Sequence, residues 1–164
     1  MNMWEELGWR GYALPELQKK HNALISSLIV GIFWSLWHWP HFLVKDSVMA
    51  NNYHNFFWFA VFTLLYSISH TWLYNSTKGS LLVASLYHSE VNTVNIILFA
   101  DISYSVFPFY LLVTAILALV LTSIFKPDAL SHNRKVTFEQ IAEEQNAKRE
   151  LRKNKGKAIR ENEP

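Results

Sequence analysis

Glu5 with Glu6, His38, and His88 with Asn92 are the residues whose types and spacing suit acid–base chemistry in this chain. A carboxylate beside a histidine can activate water, and His and Asn donors can stabilise negative charge developing on a carbonyl oxygen. Glu5 and Glu6 are adjacent, so on a helix their side chains diverge by about 100°. Glu6 and Arg10 are four residues apart and can pair along one face, which frees Glu5 to face elsewhere. His88 and Asn92 have the same spacing and stand about 6 Å apart along a helix axis. Each group also has an ordinary reading. Glu5, Glu6 and Arg10 are then solvated charges on an interfacial helix, His38 belongs to an aromatic belt with Trp34, Trp37 and Trp39, and His88 and Asn92 make interhelical hydrogen bonds. His70 reads as interfacial, near a polar turn at residues 75–79. Glu90 is two residues from both His88 and Asn92 and points away from them. His21, His41, His54 and His132 fall in loops or at element ends.

These residues are positioned by apolar segments. Of the 28 Asp, Glu, Lys and Arg residues, 17 lie at or beyond Lys126, which predicts a membrane domain over 1–125 and a charged tail over 126–164. Four apolar runs, about 23–44, 56–74, 81–100 and 104–125, are long enough for a bilayer core of about 30 Å. In lipid such runs must be helical, so the predicted class is all-α: a polytopic transmembrane bundle of about four spans. Residues 4–20 read as an amphipathic N-terminal helix, with Trp4, Leu7, Tyr12, Leu14 and Leu17 against Glu5, Glu6, Arg10, Glu16, Lys19 and Lys20, broken at Gly11 or Pro15. Pro40 ends or kinks the first span. The tail forms a charged helix over residues 137–155, with fraying into disorder from Lys148 onward. Lys19, Lys20, Lys78, Lys126 and the tail share one side, opposite Lys45, Asp46 and Asp101, which puts the tail in the cytoplasm. The absence of cysteine excludes disulfides and thiolate sites. The net charge of +2 gives no argument for nucleic acid.

In order, the polar residues read Glu5-Glu6-Leu7-Gly8-Trp9-Arg10, Trp34-Ser35-Leu36-Trp37-His38 and His88-Ser89-Glu90-Val91-Asn92. This resembles the CPBP family of intramembrane proteases, which includes type II CAAX prenyl endopeptidases and bacterial homologues linked to bacteriocin immunity. The family pattern is EExxxR, an aromatic three positions clear of a His, and HxxxN or HxxxB. Trp34 stands where Phe is usual, and Glu90 where small residues are usual. The match runs from about Trp4 to Phe99 and leaves the tail uncovered. The resemblance implies an intramembrane endopeptidase in a bacterial plasma membrane, acting on a membrane-anchored protein or peptide. Glu5 and His38 would activate water, His88 and Asn92 would form the oxyanion hole, and Glu6 and Arg10 would support them. No cofactor is favoured; zinc on Glu5, His38 and His88 is the alternative. Family members carry several spans upstream of the Glu pair, so the membrane domain reads as N-terminally truncated, mis-started or degenerate.

Two other functions compete with proteolysis. One is a non-catalytic scaffold or immunity-type protein with the same fold. The other is a proton or ion pathway through His38, His70, His88 and Glu90. Depth is a constraint on any shared site. At 1.5 Å per residue, His38 lies about 22 Å from the cytoplasmic start of its span and His88 about 11 Å from its own.

Overall fold

A computed structural model describes residues 3–45, 47–53, 55–101 and 106–161. Asp46, His54 and Tyr104, the last of which begins the fourth expected span, lie outside the described residues. The described residues are helical, with no strand among them. The N-terminal helix is α1 (Met3–Gly8), a π-helical turn (Trp9–Ala13) and α2 (Leu14–Lys20) in direct succession. Leu14 N–H donates to the carbonyl of Trp9, five residues back, so the expected break is a widened turn rather than an end. Then come α3 (Ala23–Trp37), a 3₁₀ turn (Trp39–Phe42), α4 (Val48–Tyr53), α5 (Phe56–Ser76), α6 (Leu81–Asp101), α7 (Phe107–Ala129) and α8 (Phe138–Glu161).

The four expected spans correspond to α3, α5, α6 and α7. Among the described residues, α5 and α7 have both the length and the apolarity to cross a bilayer. At 15 residues, α3 covers only about 22 Å before Pro40 tightens the chain into its 3₁₀ turn. Asn22 and Asn55 start α3 and α5 by accepting hydrogen bonds from Ile25 N–H and Trp58 N–H, at 2.8 and 3.2 Å.

The bundle is built around α5, which packs on α3, α6 and α7. Small residues set the α3–α5 contact: a Cβ on Gly31 would stand 3.2 Å from Leu64 Cα, and Ser67 Oγ donates to Ser27 O at 2.8 Å. Close approach at small residues is how helices associate in lipid, where apolar surface gains nothing by meeting apolar surface. The outer face of α7 presents Phe109, Leu112, Val113, Ile116, Leu119 and Ile124, as a helix facing lipid would.

The first turns of the N-terminal helix reverse the expected amphipathic arrangement, while farther along Leu14 is buried and Lys19 and Lys20 are exposed as expected. Glu6, Arg10, Leu14 and Gln18 are fully buried, whereas Trp4 is 81% exposed, with Leu7 and Tyr12 also outward. Polar groups face the bundle and aromatic groups face out, the arrangement a lipid surround favours. At the other end, α8 runs helical to Glu161, through the stretch expected to fray after Lys148.

Candidate active site

Helix α1 aims its two glutamates at different neighbours, as their angular separation requires. Glu6 points inward. Its Oε1 accepts from Arg10 Nη1 at 3.0 Å and from His88 Nδ1 at 2.7 Å, and its Oε2 lies 3.3 Å from His70 Nε2. A buried carboxylate survives only with such partners. The ordinary reading of Glu6 and Arg10 as solvated charges is therefore corrected: both side chains are wholly buried. Glu5, half-buried on the neighbouring face, accepts from Trp34 Nε1 at 3.2 Å.

Trp34 is the hub. The Arg10 guanidinium lies over its ring at 4.6 Å, and the rings of His88 and His70 stand steeply inclined to it, with centroids 5.0 and 6.2 Å away. One turn farther along α3, His38 Nδ1 lies 2.9 Å from Trp34 O. A carbonyl oxygen only accepts, so Nδ1 carries the proton and neutral His38 presents a lone pair at Nε2. Trp34 also answers the depth constraint: it stands at the level of His88 and links that level to His38 one turn beyond.

His88 is held differently. With Nδ1–H donating to a carboxylate, its Nε2 is an acceptor when the ring is neutral and a donor only when the ring is charged. Donation from Nε2 to an oxyanion would therefore require the charged ring, with Glu6 as its counter-ion; Glu6 is bonded to His88 as well as to Arg10.

Asn92 is exposed, one turn beyond His88 on α6, and has no hydrogen bond to the cluster among the described residues. Glu90 is also exposed, away from buried His88. The structure therefore gathers Glu5, Glu6, Arg10, His38 and His88 around Trp34 and leaves Asn92 at the rim.

The sequence predicts an interfacial His70, and the structure corrects it. His70 is fully buried, donates from Nε2 to Ala84 O at 3.1 Å and faces Glu6. The available signal was the run Ser67, Ser69, His70 and Thr71, all buried within an otherwise apolar span. Glu6 Oε2, Arg10 Nε and Nη2, and His70 Nδ1 are buried without a protein hydrogen-bond partner, so the cluster is polar enough to hold water.

Among the described residues no three His, Asp or Glu side chains converge on a point that could hold a metal ion. Glu5, His38 and His88 are each turned onto a different partner: Trp34 Nε1, Trp34 O and Glu6.

Residues 1–94 match the family model described as type II CAAX prenyl endopeptidase Rce1-like. The chain belongs to this family. A CAAX prenyl protease 2 from Methanococcus maripaludis is 34% identical over 93 residues, which cover 54% of this chain and 34% of the relative. The chain thus shares about a third of the length of that curated Rce1-like relative. No solved structure matches the chain. The three motifs, at Glu5–Arg10, Trp34–His38 and His88–Asn92, all fall inside the family match, as does His70.

Proposed function

We propose that this Rce1-like chain carries the catalytic centre of an intramembrane endopeptidase, which hydrolyses a peptide bond of a membrane-anchored protein or peptide. The observation that supports this most is the gathering of Glu5, His38 and His88 around one tryptophan, with Glu6 and Arg10 buried behind them. Water held between Glu5 and the Nε2 of His38 loses a proton to that pair as its oxygen attacks the scissile carbonyl. Negative charge then moves to the carbonyl oxygen, where the His88 imidazolium and Asn92 donate to it. The tetrahedral adduct collapses as the C–N bond breaks, and the captured proton passes to the leaving amine. Arg10 holds the Glu6 carboxylate, which in turn fixes the ring of His88.

Beside Glu5 lies an open hollow of about 360 Å³ lined by Trp4, Glu5, Gly8, Trp9 and Trp37. Its apolar walls suit a substrate that arrives in the plane of the membrane. The relative's name suggests a prenylated protein ending in a CAAX sequence. A prenylated CAAX peptide in phosphatidylcholine vesicles is accordingly the substrate to try. Glu5→Gln and His38→Ala should each lower its cleavage by about 10²-fold or more. Retention of activity in both would remove the proposal. The exposure of Asn92 favours a second reading, a non-catalytic scaffold of the same fold. In that case Glu5→Gln would leave binding or protection intact, with no cleavage by the parent chain.

A further inference from the structure

Residues 129–141 lie outside the stretch matched to the family, yet they are bonded to the helix that carries Glu5 and Glu6. The chain leaves α7 through Lys126 and Leu130, whose φ angles of 60° and 45° turn it back over the ends of α2 and α5. There two fully buried amides, Gln18 and Asn75, meet. Gln18 Nε2 donates to Asn75 Oδ1 at 3.2 Å, and Asn75 Nδ2 donates to Gln18 Oε1 at 2.8 Å. Their remaining capacity goes to the tail's backbone. Gln18 Nε2 donates to Val136 O and Asn75 Nδ2 to Ala129 O, both at 2.8 Å, and Val136 N–H donates to Asn75 Oδ1 at 3.2 Å. Every side-chain N–H of the two amides is used.

The contacts around this pair converge on the same helix. Lys19 reaches Glu139 at 3.2 Å and lies over the Phe138 ring, and Tyr12 also packs on Phe138. Lys135 Nζ donates to His21 O at 3.0 Å. Val136 is buried against Leu14, Val30 and Tyr74, and a Cβ on Gly79 would stand 3.1 Å from its Cγ1. Glu6 and Gln18 are joined by continuous helix and stand about 18 Å apart along it. His88 and Trp34 hold one end, the tail holds the other, and the π turn with Gly11 lies between them.

We propose that residues 129–141 are a brace that positions the catalytic helix, with Gln18 and Asn75 as positioning residues that keep Glu5 and Glu6 level with His88 and Trp34. The catalytic consequence rests on the proposed protease function; the mechanical one does not. The chain has no cysteine, so spin labels can be placed at Leu7→Cys and Leu119→Cys, both on exposed sites, without removing any native thiol. In the 164-residue chain in phosphatidylcholine vesicles, Gln18→Met should broaden the distance distribution between these labels. It should also lower kcat on the prenylated CAAX peptide about tenfold at nearly constant KM. Glu139→Lys, at an exposed position, should lower kcat about twofold to threefold, and adding Lys19→Glu together with Glu16→Gln, which removes the like charge beside it, should restore it. These variants keep the test decisive where Gln18→Met folds poorly. A sharp distance distribution and parental kcat in folded Gln18→Met, or no recovery in the charge-swapped pair, would overturn the brace. If the parent chain cleaves nothing, the protease reading fails on that result alone, and the label distances still decide the brace.

Discussion

The N-terminal helix carries an ion pair at each end, and the two are opposites. Glu6 and Arg10 are sealed, with both side chains at 0% exposure, whereas Lys19 meets Glu16 and Glu139 with all three side chains at least 30% exposed. The spacing within Glu6–Arg10 and Glu16–Lys19 is nearly alike, so sequence separation does not set their weight. Burial does: a charge removed from a sealed pair strands its partner, while a surface pair exchanges its partner for water.

Arg10→Ala should produce the largest effect of those that test this contrast. It strands Glu6 beneath Trp34 and should destabilise the fold by about 3–5 kcal/mol, read as a lowered denaturation midpoint in detergent micelles. A loss no larger than that of a surface pair would show that the remaining donor, His88 Nδ1 at 2.7 Å, is enough to hold Glu6. Arg10→Lys should fall between. A point charge replaces the planar group lying over Trp34, and a loss of about 1–3 kcal/mol is expected in the same assay.

Trp34→Phe tests the hub more gently. It removes the N–H that Glu5 accepts and weakens the face under Arg10, for a cost of about 1–2 kcal/mol. Because Phe is usual at this position in the resemblance, cleavage should stay within about threefold of the parent. Loss of cleavage with the fold intact would make the Glu5–Trp34 bond essential to positioning the glutamate.

The smallest effect belongs to the outer pair and is read by pH. Glu139 is held below its ordinary carboxylate value by its own backbone N–H, by Thr137 and by Lys19. Lys19 is held above its ordinary value chiefly by Glu16, then by Glu139. A lowered acid stabilises above its unfolded pKa and ceases to do so as pH falls through the folded value. A raised base stabilises below its unfolded pKa and ceases to do so as pH rises through the folded value. Docking of α8, followed by the fluorescence of a dye at Leu151→Cys, should therefore be flat through neutral pH. It should weaken slightly under acid conditions below the carboxylate range and under strongly alkaline conditions. A step near pH 6–7 would assign the control to a histidine instead.

The sequence carried the local terms well. The Glu6–Arg10 pair follows from a spacing of four residues, and the separate aim of Glu5 follows from adjacency. The four apolar runs mark the helices α3, α5, α6 and α7 through the bilayer's demand for internal hydrogen bonding. Three motifs gave the family and most of the cluster. What was not legible depends on partners distant in sequence. Gln18 is an unremarked polar residue until Asn75 and Val136, 57 and 118 positions away, are seen to complete its bonds. His70 reads as interfacial because linear distance to a turn does not report depth inside a bundle. The outward Trp4 and inward Glu6 reverse a rule learned in water, where apolar groups are the ones that hide.

The π turn at Trp9–Ala13 has a further consequence, which is angular. On an uninterrupted α-helix each residue advances about 100°, so twelve steps from Glu6 to Gln18 would leave them about 120° out of phase. The one wide turn accommodates an extra residue and takes back about one residue's rotation, which reduces the mismatch to about 20°. That phase correction lets one helix turn both its carboxylate and its amide inward. Forcing this turn into ordinary α geometry without removing a residue would restore the mismatch of about 120° and swing one of the two out toward lipid.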